Sequence, residues 1–134
     1  MKMLLKRLIY LKIMWKKRKK KLNNFLENKL VISTSNYIYL LDIDEIAYLK
    51  SASNYTKVIM KDGKEIVASK TLKYFEYILR NKAFLRVHSS YLVNMKFIQG
   101  IKRNGKYTIE LINKTSILVS RGFKGKLFNN CLKK

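Results

Sequence analysis

Between Phe84 and Asn94 the chain reads F-L-R-V-H-S-S-Y-L-V-N. Two short apolar runs flank one polar turn, His88-Ser89-Ser90. Each run is too short for a stable helix and is rich in β-branched or aromatic residues, so the block reads as two strands around a turn. Such a block holds a few hydrogen-bonding side chains on a rigid β-scaffold. The chain around it has a formal net charge of +22 and a pI of about 10.2. Charge of that size repels itself and calls for a polyanion, a membrane surface or an acidic partner. Charge alone gives non-specific binding. Charge combined with a fixed polar turn has what sequence-specific DNA binding requires.

The length of 134 residues suits one domain with a short extension. Its 48% hydrophobic content is ordinary, while 30 Lys and Arg against 8 Asp and Glu is not. Proline is absent and glycine scarce, which argues against disorder and low-complexity linkers. The single cysteine, Cys131, excludes an internal disulfide and a cysteine-based zinc site. It reads as a small apolar residue near a chain end, and it fits a reducing, cytoplasmic compartment.

Residues 1–28 form a basic amphipathic extension. Leu4, Leu8, Leu11 and Trp15 recur at helical spacing, with Leu5, Ile9 and Ile13 beside them. Lys6, Arg7, Lys12 and Lys16 interrupt the run, which is too short and too charged to span a bilayer. No small-residue cleavage site follows, so it does not read as a signal peptide. Lys16 to Lys21 is a dense cationic block. Three readings stand: a solvated helix leading into the domain or the remnant of a linker, a helix for a membrane surface or partner, and extra phosphate contacts on DNA.

The rest, residues 29–134, reads as short strands with one helix. Strands are expected at Lys29–Ser33, Tyr37–Leu41, Ile46–Leu49, Tyr55–Met60 and Glu65–Ala68, with a polar turn at Ser51–Asn54. Asp62-Gly63 favours the positive φ of a tight hairpin. Ser69 or Thr71 can cap a helix over Leu72–Leu79 whose apolar face holds Leu72, Phe75, Tyr77 or Ile78, and Leu79. Strands at Phe84–Val87, Tyr91–Val93, Phe97–Lys102, Tyr107–Ile112 and Ser116–Val119 follow, with turns at Asn104-Gly105 and Asn113-Lys114. Ser120–Lys124 leads into a short basic tail with helical potential.

No catalytic set assembles. The one histidine is His88, and a Ser-His-Asp arrangement from Ser89, His88 and Asp42 has neither the spacing nor the nucleophile turn. Gly122 and Gly125 belong to no phosphate-binding loop. Metal ligands are too few, and Asp42-Ile43-Asp44-Glu45 reads as a solvated turn before a strand. No cofactor is implied and no enzyme activity is expected. From Tyr77 onward Glu110 is the sole acid, while Arg86, Lys96, Lys102, Arg103, Lys106, Lys114, Arg121, Lys124 and Lys126 accumulate. A cationic face is expected, serving either nucleic acid or plain solubility.

Ile46-Ala47-Tyr48-Leu49, Asn54-Tyr55-Thr56, Asp62-Gly63, Ser69-Lys70-Thr71-Leu72, Phe75-Glu76, the Phe84–Asn94 block and Val119-Ser120-Arg121 occur in this order. Together they resemble the LytTR DNA-binding domain, over roughly Lys29 to Leu132. The resemblance implies a compact, mostly antiparallel multi-sheet β-fold with one short helix rather than a helix-turn-helix. It implies loops that enter successive major grooves at direct repeats in bacterial promoters. By motif position the base-reading candidates are the loop around Asn54 and Tyr55, the turn His88-Ser89, and Arg121, and Lys57 in the strand beyond is a further DNA-binding candidate. Lys106 and Lys124 are candidate phosphate contacts. An Arg pairs bidentately with guanine and an Asn with adenine. Ser89 stands where relatives often carry Arg or Asn, and its hydroxyl has a shorter reach.

Each residue also has a plainer reading. His88 can be a turn residue bonded to nearby backbone, Arg86 a structural ion pair, Tyr48 and Tyr91 core, and Asn94 a strand-end cap. The whole reads as a cytoplasmic bacterial transcription regulator whose partner is double-stranded DNA, with a second copy on an adjacent repeat. Residues 1–28 are too short for a receiver, so control is expected from abundance, or from a membrane surface or membrane-bound inhibitor acting through residues 1–21. The alternative is an RNA-binding or membrane-surface-associated basic β-domain.

Overall fold

The strand from Tyr55 to Met60 alternates as a half-buried strand must. Thr56, Val58 and Met60 are buried, whereas Tyr55 is exposed and Lys57 and Ile59 are half-buried. The computed structural model describes residues 2–131. Helix α1 is Lys2–Glu27, followed by β1 (Lys29–Ser33), β2 (Ile38–Asp42), β3 (Ile46–Ala52), β4 (Tyr55–Met60) and β5 (Glu65–Ala68). Helix α2 (Leu72–Ile78) precedes β6 (Phe84–His88), β7 (Tyr91–Asn94), β8 (Ile98–Arg103), β9 (Tyr107–Leu111), β10 (Ser116–Leu118) and α3 (Lys124–Cys131). Short 3-10 turns lie at Ile43–Glu45, Met95–Phe97 and Arg121–Phe123.

All the strand pairs are antiparallel. They form a β1-β2 hairpin, a five-stranded sheet ordered β5-β4-β3-β7-β6 and a three-stranded sheet ordered β10-β9-β8. The five-stranded sheet is apolar on both faces. Leu92 and Val93, consecutive in β7, therefore join different cores. On one face Leu49, Val58, Ile66 and Leu92 meet Leu30 and Ile32 of β1, Leu72 and Phe75 of α2, and Leu79 just after it. On the other, Leu85, Val87 and Val93 meet Ile109, Leu111 and Ile117 of the smaller sheet and Leu127 of α3.

Asn94 is the buried joint between the layers. Its Nδ2 donates to the Ile46 carbonyl at 2.9 Å, and its Oδ1 accepts from the Lys96 amide at 3.0 Å. It thereby caps the 3-10 turn Met95–Phe97, the role of a strand-end cap.

Three local expectations are revised. The turn expected over Ser51–Asn54 contracts to Ser53-Asn54, because β3 continues to Ala52, which pairs with Tyr55. Ser53 then takes φ +58°, the left-handed region. The cap of α2 is Thr71, whose Oγ1 accepts from the Tyr74 amide, and not Ser69. Tyr77 and Ile78 are exposed, so the buried face of α2 is Leu72 and Phe75, continued by the capping Leu79. The expected tail helix is present as α3, with residues 132–134 outside the described residues. The side chain of Cys131 also lies outside what is described.

Candidate nucleic-acid interface

Antiparallel topology gathers the candidate residues at one end of the molecule. β3 ends beside the start of β7, since Lys50 pairs with Tyr91 and the Ser51 amide donates to the Ser90 carbonyl at 2.9 Å. The turns Ser53-Asn54 and Ser89-Ser90 are therefore neighbours. The Ser120 amide donates to the Val87 carbonyl at 3.0 Å, bringing Arg121 alongside His88. The Val119 amide donates to the Tyr107 carbonyl at 2.9 Å, which sets the β8–β9 turn at the same end. Thr56 Oγ1 donates to the Lys70 carbonyl at 2.7 Å, adding the segment before α2.

The loops so gathered span 53–54, 69–71, 88–90, 103–107 and 120–124, and they contain no Asp or Glu. The carboxylates collect elsewhere. Asp42 at the end of β2, and Asp44, Glu45 and Asp62 in the connections, lie at the opposite ends of the same strands, while Glu76 approaches the loop end paired with Arg86. The domain is thus electrostatically polarised, with the loop end the attractive one for a polyanion.

The individual placements differ. Asn54 and Tyr55 sit at the loop end, Tyr55 being 41% exposed. His88 closes β6, and its Nδ1 accepts the Ser90 amide at 3.0 Å. In the neutral ring that bond puts the proton on Nε2, which becomes a donor suited to a base-edge or phosphate oxygen. The ring also meets Tyr91 edge to face at 5.7 Å. Ser89 is exposed in the turn. Lys106 lies exposed in the β8–β9 turn, which Gly105 closes at φ +75°. Arg121 opens its 3-10 turn exposed, and Lys124 lies 4.1 Å over the Tyr107 ring. Lys57 is not brought to the loop tips. It lies on β4 with its Nζ 3.1 Å from Glu65.

Arg86 has a structural role at this site. Its Nε donates to the His88 carbonyl at 2.9 Å and its Nη2 to the Ser89 carbonyl at 2.6 Å. Its Nη1 pairs with Glu76 of α2 at 3.1 Å. One guanidinium therefore ties the Ser89-Ser90 turn to a packed helix. The strand pairing breaks register between Arg86 and His88, next to the turn that the guanidinium holds.

Other cations in the expected face are engaged or remote. Lys96 pairs with Asp44 at 2.9 Å, a contact that holds the Asp44 carboxyl below the ordinary carboxylate range. Lys102 lies 3.7 Å from Glu110, and Lys114 turns the chain at the far end. Tyr48 and Tyr91 are half-buried against the second core, and burial, with Tyr91 alongside, raises the Tyr48 phenol. Lys50 and Lys70 are exposed near the loop end and carry no sequence signal of their own. Their position comes from strand register and from the Thr56 bond.

An antiparallel β-domain with an acid-poor, cationic loop end has the electrostatic character of a nucleic-acid-binding module. The model of the LytTr DNA-binding domain family matches residues 36–131, and the chain belongs to that family. It is 34% identical over 88 residues to the transcriptional regulatory protein BtsR of Salmonella typhi, covering 64% of this chain and 36% of that protein. It is 30% identical over 103 residues to the sensory transduction protein LytT of Bacillus subtilis, covering 75% of this chain and 42% of that one. The chain thus spans less than half the length of these relatives. A solved LytTr DNA-binding domain from Bacillus cereus has the same fold, with a TM-score of 0.66 at 21% identity, over 80% of this chain and 98% of that one.

Proposed function

We propose that this chain is a sequence-specific DNA-binding regulator of transcription, read out through residues 29–134, with residues 1–28 a separate extension. Its loop end enters the major groove. Asn54, Tyr55, His88, Ser89 and Arg121 face the base edges, and Lys106 and Lys124 face phosphates. Two copies occupy adjacent direct repeats in a promoter, and the work is done in the cytoplasm without catalysis. The observation that carries this reading is the convergence of five acid-free loops, linked through Ser51–Ser90, Val87–Ser120, Tyr107–Val119 and Thr56–Lys70 hydrogen bonds. A cationic end alone would bind any polyanion. A turn clamped by Arg86, beside an exposed Arg121, adds fixed donors that can discriminate base edges.

Selection of bound duplexes from a random pool tests the reading, at roughly physiological salt where phosphate-only binding is weak. Enrichment of a direct repeat supports it. Tight binding with no enriched sequence, or preferential binding of RNA, overturns it.

A further inference from the structure

Helix α1 carries an apolar stripe that the domain leaves uncovered. At 100° per residue, positions 4, 8, 11, 15, 22 and 26 fall within one arc of about 60°. Leu4, Leu8, Leu11, Trp15, Leu22 and Leu26 occupy them, and each is 42–70% exposed. Arg18 borders the stripe on one side and Lys12 and Lys19 on the other. The N-terminal half is apolar also behind the stripe, through Leu5, Ile9 and Ile13, whereas Lys16 to Lys21 are all cationic. Residues 1–28 hold ten Lys and Arg against the single acid Glu27.

This composition selects the occupant. A second copy would set two strongly cationic helices side by side, with like charges flanking the seam. DNA phosphates would satisfy the lysines but leave six large apolar side chains in water. An anionic lipid surface answers both halves, with acyl chains for Leu and Trp and headgroups for Lys and Arg. Among the described residues no helix is long and apolar enough to cross a membrane. We propose that α1 lies in the interfacial plane of an anionic bilayer, its first half at the acyl boundary and its Lys16–Lys21 block among the headgroups.

The root of α1 has a further consequence. The helix runs through Asn28 into β1, and the Asn28 carbonyl accepts the Ile43 amide at 3.0 Å. That junction stands with Asp42–Glu45, at the end opposite the loops gathered around Arg121. A domain tethered there keeps its loop end accessible, so one chain holds a membrane surface and a duplex together. The DNA half of this statement rests on the function proposed above; the membrane half does not.

Trp15 is the sole tryptophan of the chain and reports directly on the claim. The full chain is titrated with phosphatidylglycerol–phosphatidylcholine vesicles at about 3:7, and with pure phosphatidylcholine vesicles. The expected result is a blue shift of Trp15 emission with co-sedimentation on the anionic vesicles alone. Leu8→Glu, distant from both cores, is expected to weaken vesicle partitioning by about tenfold without changing the melting temperature. Co-sedimentation without a blue shift would mean that charge alone is responsible and would overturn the proposal. So would undiminished partitioning of Leu8→Glu, or a blue-shifted dimer without lipid. Adding specific and scrambled duplexes to vesicle-bound protein separates the two claims. Retained blue shift with no sequence preference sinks the proposed function and leaves the membrane inference standing. Displacement of the protein from vesicles by the specific duplex overturns simultaneous binding.

Discussion

Replacing Arg86 with Lys is expected to blunt sequence discrimination while leaving the fold and the net charge in place. The Arg86 side chain is only 15% exposed, and its guanidinium spans two carbonyls, His88 and Ser89, as well as Glu76. A lysine ammonium has donors on one atom and cannot hold that planar spread. It keeps the charge beside Glu76, a part-exposed pair worth no more than about 1 kcal/mol. What it loses is the anchoring of the Ser89-Ser90 turn. Ordering one residue of backbone costs roughly 1–2 kcal/mol. Two residues that must be re-ordered on binding, partly held by the remaining Ser51–Ser90 bond, then cost about 2 kcal/mol of specific affinity, or roughly 30-fold. Fluorescence anisotropy against a selected direct repeat and a scrambled duplex, at one salt concentration, measures both affinities. The expected result is a loss of roughly 30-fold on the repeat and less than about threefold on the scrambled duplex. Equal losses on both, or none on the repeat, would refute the claim that Arg86 positions a reading turn.

Arg121→Ala should cost roughly 1–3 kcal/mol on the selected site and relax preference at one base position, measured by repeating the selection with the variant. Lys106→Gln should lower the slope of log affinity against log salt by about one, and Lys57→Gln by less, because Glu65 already engages Lys57. Asn94→Ala should destabilise the domain by about 1–3 kcal/mol, read from the urea midpoint, since it removes the side-chain donor from the Ile46 carbonyl.

Local chemistry made much of the fold legible before any coordinates. Asp62-Gly63 marked a hairpin whose Gly63 indeed sits at φ +90°, and the alternation on either side placed β4 and β5 to the residue. The turn before β4 is shorter than local preference suggests, because Ser51 and Ala52 have weak preferences. Their pairing with Thr56 and Tyr55 decides, and pairing is not a property of either residue alone. The Phe84–Asn94 motif marked the hairpin but not the Arg86 clamp, which needs a helix residue ten positions away. Charge counting exposed the imbalance but not its geometry. Lys96 looked available until the fold brought Asp44, 52 positions distant, against it. Lys70 drew notice only as part of a motif until Thr56 tied its segment to the loop end.

The central claim is that one end of this domain meets DNA, and backbone amide chemical shifts on titration with a selected duplex test it most directly. Shifts are expected to concentrate at residues 53–55, 69–71, 88–90, 104–106 and 121–124, with 42–45, 62–64 and 113–114 unmoved. Shifts centred on those latter turns, or confined to α1, would contradict it.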